Sequence, residues 1–263
     1  MEKVSYFQRA IENGITRPSL VQATDSKEYV LKARNEEGTS GKTLLNELIG
    51  YRLGKLLDIP IPNLKLLRLE KEFIENNDYY RDIGAKPGIC IGSEYLKGNA
   101  KVNPVILDKA SNINEIPGII LFDQVIMNND RAENDGNLFF ERKTKRIIAI
   151  DHSHVFTSDI WDIGQINRLN STIPSIVKNI DGPVYKYCSP FINGNSPFHY
   201  CKTKYDSITL ERLDEVFSNI PSEWNILEEE IIGLKEFVWG QIQQIDEILE
   251  EIKPHFSYWK GSV

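Results

Sequence analysis

Two carboxylates and the short polar loop between them are the side chains of this sequence best placed to do chemistry. Asp130 stands in Asn128-Asn129-Asp130-Arg131, directly after the apolar run Ile119–Met127, and Asp151 closes the run Ile147-Ile148-Ala149-Ile150. In the first run Ile119, Ile120, Phe122, Val125 and Ile126 recur at helical spacing, which predicts a buried helix delivering the loop that follows. Leu138-Phe139-Phe140 and Ile147–Ile150 flank a charged turn, Glu141–Arg146, and predict a short β-hairpin. The two acids then lie at opposite margins of one hairpin, beside the same surface. That arrangement suits phosphoryl transfer, where one Asp orients the attacking hydroxyl while a second Asp and a residue of the intervening loop hold Mg²⁺ against the phosphates. Mg²⁺ takes hard oxygen ligands of this kind. The plain structural alternative is that Asp130 caps a turn and Asp151 ends a strand.

A second pair lies upstream. Lys32 sits inside Tyr29-Val30-Leu31-Lys32-Ala33, a predicted strand, where an inward-facing lysine needs an anionic partner. Glu47 follows near the start of a predicted helix, with Leu44, Leu48, Tyr51, Leu53 and Leu56 as its apolar face. A strand lysine paired to a helix glutamate is how kinases position ATP phosphates.

Taken together these segments resemble the HipA-like kinase family, particularly its short single-domain members, and more distantly the phosphoinositide lipid kinases. The resemblance rests on Asn129-Asp130-Arg131, Asn137-Leu138 and Ile150-Asp151-His152. It extends to Val30-Leu31-Lys32, to Asn46-Glu47-Leu48-Ile49 opening a helix, and to Leu57-Asp58-Ile59-Pro60-Ile61-Pro62 closing it. It implies an α+β, two-lobed protein-kinase-like fold: a small β-rich N-lobe at 1–98 and a mainly helical C-lobe at 99–263. It implies ATP and Mg²⁺, with Asp130 as catalytic Asp, Asp151 as metal ligand and Lys32–Glu47 on the phosphates. Gly92-Ser93-Glu94-Tyr95-Leu96 resembles the family's crossing between lobes, so Glu94, Tyr95 and Leu96 are expected at the adenine. One position departs from the pattern. Kinases place a metal-binding Asn five residues after the catalytic Asp, where this chain has Asp135; its Asn, Asn137, comes seven residues on, and both are carried as candidate metal ligands.

The implied activity is transfer of the ATP γ-phosphate to a Ser or Thr hydroxyl of a protein substrate. The shifted Asn and the lack of a Gly-x-Gly-x-x-Gly loop favour a rival, a nucleotide-binding pseudokinase acting as an interaction module. A lipid kinase would need a basic membrane-facing patch, which the overall charge does not supply. Larger family members carry a further N-terminal domain, so a toxin role is not implied, and no partner antitoxin is named by the sequence.

Composition sets the frame. The chain has 263 residues, 41% hydrophobic, enough for one two-lobed domain with a full core. Its 31 Lys and Arg against 38 Asp and Glu give a net charge of −7, which argues against nucleic acid as a direct ligand. No apolar run reaches the length of a membrane span, the N-terminus lacks a signal-peptide core, and three cysteines suit a reducing compartment, so a cytoplasmic protein is expected. Cys188, His199 and Cys201 lack a Cys-x-x-Cys pair and predict no zinc site; nor do His152 and His154.

Along the chain, residues 4–13 read as a short amphipathic helix, and Gly14–Ser19 as a turn able to offer donors to phosphate. Leu20–Ala23 and Tyr29–Ala33 read as a hairpin. Gly38-Thr39-Ser40-Gly41-Lys42-Thr43 imitates a phosphate loop, but Glu36 occupies the place of its first Gly, so a connecting loop is expected. Leu64–Leu69 and Gly88–Gly92 read as strands, Glu70–Pro87 as a surface excursion and 181–207 as irregular. Two helices are expected at the end, over Ile208–Ile220 and Ile226–Ile252.

Overall fold

The computed structural model describes residues 1–12 and 14–261. Five strands form one antiparallel sheet in the order β1-β2-β3-β5-β4. They are β1 (Val4–Ala10), β2 (Ser19–Ala23), β3 (Glu28–Lys32), β4 (Leu64–Leu69) and β5 (Gly88–Glu94). Helix α1 (Gly41–Leu56) links β3 to β4, and two short helices, α2 (Lys71–Glu75) and α3 (Asp78–Asp82), occupy the β4–β5 connection. The chain then crosses once into a three-stranded sheet, β6 (Gly98–Asn99), β7 (Leu138–Glu141) and β8 (Ile147–Ala149). Helices α4 (Pro104–Leu107) and α5 (Ile116–Val125) lie between β6 and β7. The rest is helical: α6 (Ile163–Ser171), α7 (Pro183–Cys188), α8 (His199–Asp206), α9 (Leu210–Val216), α10 (Glu228–Gln243) and α11 (Ile245–Ile252). This is the expected β-rich part followed by a mainly helical one.

Three expectations are corrected. Residues 4–10 form a strand, not a helix. Its pairing with β2 slips between Val4 and Tyr6 and again between Phe7 and Arg9, so Val4, Phe7 and Ala10 face inward three residues apart and imitate a helical stripe. The long C-terminal helix is interrupted at Gln244. The segment 181–207, expected to be irregular, contains α7 and α8 and buries Tyr185, Phe198 and Tyr205.

Helix α1 holds the two parts together. Its N-terminus is closed by a capping box in which Ser40 and Thr43 exchange hydrogen bonds, so the Gly38–Thr43 segment serves the helix. Lys42 donates to the Trp161 carbonyl at 2.7 Å and pairs with Glu230 at 2.7 Å, outside the cleft described below. The helix is buried almost all round, and its Leu44, Leu45, Leu48 and Leu53 belong to the larger core with α5, α10 and α11. A smaller core of Val21, Leu31, Leu67, Leu69 and Tyr80 sits between the five-stranded sheet and α2–α3. Among the described residues no helix is long and apolar enough to cross a membrane.

Two helical glycines test how tightly α1 is seated. A Cβ at Gly50 would lie 2.6 Å from the Cβ of His152, whereas one at Gly118 in α5 would make ordinary contacts, 3.6 Å from Cys201 and 3.7 Å from Ile59. Gly50→Ala should therefore destabilise the protein by about 1–3 kcal/mol despite the better helix propensity of Ala. Gly118→Ala should stabilise it by about 0.4–1 kcal/mol. Denaturant midpoints of the two variants check the opposite signs.

Candidate active site

A cleft of about 690 Å³ opens between the five-stranded sheet and the β7–β8 hairpin. Lys32, Glu47, Glu94, Tyr95, Leu96, Asp130, Asp135, Asn137 and Asp151, every site residue expected from the sequence, line it.

Lys32 is the last residue of β3, 8% exposed, and its Nζ lies between two carboxylates. It bonds Glu47 from α1 in a short contact and Asp151 at 2.8 Å. Burial alone would lower the lysine's pKa, but Asp151 and Glu47 outweigh it and hold the ammonium well above its ordinary range. Burial pushes Asp151 upward, yet Lys32 and Ser153 win and keep it ionised. Glu47 moves up because it is buried, with Lys32 opposing.

Asp151 adopts a left-handed backbone, φ +57°, which Asp tolerates better than most residues. Ser153 Oγ stabilises this turn by donating to Asp151 Oδ1 at 2.6 Å. Downstream, Asn46 of α1 donates to the carbonyls of Ser153 at 2.7 Å and Ser158 at 3.0 Å and accepts from Trp161 Nε1 at 2.9 Å. The segment after Asp151 is thus fastened to the helix that carries Glu47.

In the loop before β7, Asp130 is half-buried, and its Oδ2 accepts from Asn137 Nδ2 at 2.5 Å. The Asn137 carbonyl accepts from Ile150 N–H at 3.1 Å, which puts Asn137 beside the strand end that bears Asp151. Asp135, half-buried two residues earlier, makes no side-chain hydrogen bond or ion pair among the described residues. With Nδ2 committed to Asp130, the amide oxygen of Asn137 is left for a cation, as is Asp151 Oδ2. These hard oxygens, few in number, fit Mg²⁺, which is usually held by one or two protein groups plus water and substrate phosphates.

At the chain crossing, Glu94 N–H donates to Asn63 at 2.7 Å and Tyr95 N–H to Glu28 at 3.1 Å, leaving the Leu96 amide without a backbone partner among the described residues. Val30, Ile61, Leu64 and Phe139 give this end of the cleft apolar walls. Of the Gly14–Ser19 turn, Gly14, Ile15, Thr16 and Pro18 face the cleft, whereas Ser19 Oγ bonds Tyr80 at 2.7 Å. Cys188 and Cys201 are buried thiols, each pushed up to about 12 by burial, and no group of three or more His, Cys, Asp or Glu side chains among the described residues is arranged to hold a metal.

Sequence reasoning used Arg131 and His152 only as part of a resemblance and gave no role to the buried polar group they form with Asp123 and Asn128 at the base of the cleft. Arg131 Nε bonds the Asp123 carboxylate at 2.9 and 3.0 Å, and Tyr185 Oη also donates to Asp123 at 2.9 Å. An acid inside Ile119–Met127 was the available signal, since a buried carboxylate demands partners. Burial and the Arg131 charge drive the His152 imidazole well below its ordinary pKa. The unfolded chain binds a proton below about pH 6.5 that the folded state refuses, so stability falls as pH drops through that value. His152→Gln keeps an acceptor for Arg131 and should flatten the fall between about pH 6.5 and 5. Denaturation midpoints across that range check it, and parallel curves for variant and parent would assign the dependence to other groups.

The HipA-like kinase family matches residues 4–168. Among solved structures, a Helicobacter pylori proinflammatory kinase, CtkA, superposes with a TM-score of 0.57 at 12% identity, over 97% of each chain. A Golgi casein kinase with Mn and ADP bound gives a TM-score of 0.48 at 12% identity, over 95% of this chain and 74% of that one. No curated protein matches the sequence. The superposition with CtkA shows a kinase fold, and family and fold together support a phosphotransferase. With the match spanning more than half of its residues, the chain belongs to the HipA-like kinase family.

Proposed function

We propose that this protein is an ATP- and Mg²⁺-dependent kinase acting on a Ser or Thr hydroxyl of a protein substrate. The observation that carries the reading is that the Lys32–Glu47–Asp151 cluster and the Asp130–Asn137 pair line one cleft. In this reading residues 1–98 cover the nucleotide, while 99–263 carry the catalytic loop and the metal-facing strand. The adenine lies against Glu94, Tyr95 and Leu96, where the Leu96 amide is the available donor. Lys32, kept protonated, donates to a phosphate oxygen while Glu47 holds its ammonium in place. Asn137 Nδ2 fixes Asp130 Oδ2, so the other carboxylate oxygen receives the proton of the acceptor hydroxyl as its oxygen bonds to the γ-phosphorus and ADP leaves. Asp151 and Asn137, with Asp135 within the same lining, would hold Mg²⁺, which would supply charge neutralisation for the phosphates. The position of Asn137 next to Asp151 supports a working loop despite its seven-residue spacing from Asp130.

Single substitutions separate the roles. Asp130→Asn should lower phosphate transfer by about 10²–10⁴-fold with Mg-ATP binding kept, because this group need not touch the nucleotide. Asp151→Asn should also abolish the Mg²⁺-dependent part of thermal stabilisation by ATP, since a ligand specific for the folded state raises Tm according to its concentration over Kd. Lys32→Met should weaken ATP binding with or without metal. Transfer is read by mass spectrometry of the purified protein with Mg-ATP and a protein acceptor. Tight nucleotide binding with no transfer by the parent would make it a pseudokinase, and an Asp151→Asn variant with the parent's full Mg²⁺-dependent shift would remove Asp151 from the metal site.

A further inference from the structure

Arg131 is wholly buried, and its guanidinium spreads over four different partners. Nε is anchored on Asp123, itself fixed by Tyr185 and by Asn128 Nδ2 at 3.1 Å. One terminal nitrogen donates to the Ile150 carbonyl at 2.9 Å and to the Asn137 carbonyl in a short contact. The other donates to His152 Nε2 at 3.0 Å, since a guanidinium has donors only. Apart from the anchor, every contact goes to a metal-facing residue or its direct neighbour: Asn137 itself, Ile150 before Asp151, and His152 after it. The carbonyl before Asp151 and the ring after it are held by one side chain, and so is the main-chain carbonyl of Asn137 across the hairpin.

We propose that Arg131 is a positioning residue that sets the separation and orientation of Asn137 and Asp151 for the metal, an inference that rests on the phosphotransfer reading above. A buried ion pair kept for stability alone needs no more than its carboxylate, and replacing such a pair by neutral groups is often harmless. Here the planar fork reaches two main-chain carbonyls and a ring at once, a pattern a lysine ammonium cannot reproduce. Groups that orient metal ligands from behind affect metal affinity on the order of 10–100-fold when altered. His152 extends the same hold to both neighbouring helices, because its side chain packs directly against Gly50 of α1 and its ring lies edge-on to Phe122 of α5 at 5.8 Å.

The test compares Arg131→Lys and the neutral double variant Asp123→Asn/Arg131→Met with the parent. Thermal stabilisation by ATP is measured in EDTA and in excess Mg²⁺, and Kd is measured for both forms of the nucleotide. The double variant removes both charges together, so it reports even if the single substitution does not fold. The expected result is an unchanged ATP shift in EDTA, loss of the Mg²⁺-dependent increment, and a Kd for Mg-ATP weakened on the order of 10–100-fold. A folded variant that keeps the parent's Mg²⁺ increment, or loses both increments equally, overturns the positioning role and leaves the kinase reading standing. A parent without any Mg²⁺-dependent nucleotide binding overturns both.

Discussion

A lysine ammonium removed from water is tolerable only with anions around it, and Lys32 has two, delivered by two different elements. Glu47 comes from α1 and Asp151 from the end of the β7–β8 hairpin. Glu47 and Lys32 could not be buried without each other, and Asp151, one third exposed, adds the second charge, so β3, α1 and the hairpin end meet at this cluster. The rest of the architecture reads as the means of bringing them. The five-stranded sheet carries Lys32, the capped and fully packed α1 sets the height of Glu47, and Asn46 ties the chain beyond Asp151 back to that helix.

The elements of this scheme were largely legible in the sequence where local pattern and tertiary role agree. The β2–β3 hairpin, β4, β5 and the β7–β8 hairpin declare themselves by strand-like runs between turn residues, and α5 by its spacing of apolar side chains. β1 was illegible because two slips of register convert an inside-outside alternation into an apparent helical stripe. In 181–207 the prolines and glycines dominate the local pattern. Its short helices exist because Val184, Tyr185, Cys188, Phe198 and Tyr205 find a core to enter, which local propensity does not contain.

For the site, the side chains that meet in the cleft were visible as residue types at telling spacings, and all nine lie in its lining. What lay hidden was their support. Asp123 and Arg131 stand only eight positions apart, yet the guanidinium's other partners, Asn137, Ile150 and His152, come into reach only once the hairpin has folded over them. Asn46 gave even less signal: a polar residue on the helix beside Glu47 becomes meaningful when the carbonyls of Ser153 and Ser158 are brought to it. Hydrogen bonds to main-chain atoms carry no signature in the partner's side-chain identity.

The allegiance of α1 decides what the cleft's ion pair joins. The helix shares the larger core and is fastened to the helical part by Lys42 on Glu230 and by Arg52 on the Val216 carbonyl. Lys32 comes from the sheet and Glu47 from this helix, so the buried ion pair joins the two parts, with Asp151 completing it from the hairpin end. In the kinase reading proposed above, a nucleotide would meet a lysine already held by two carboxylates. Its entry would be an exchange of counter-ions, in which phosphate oxygens take the place of Asp151 beside the ammonium while Glu47 keeps its hold.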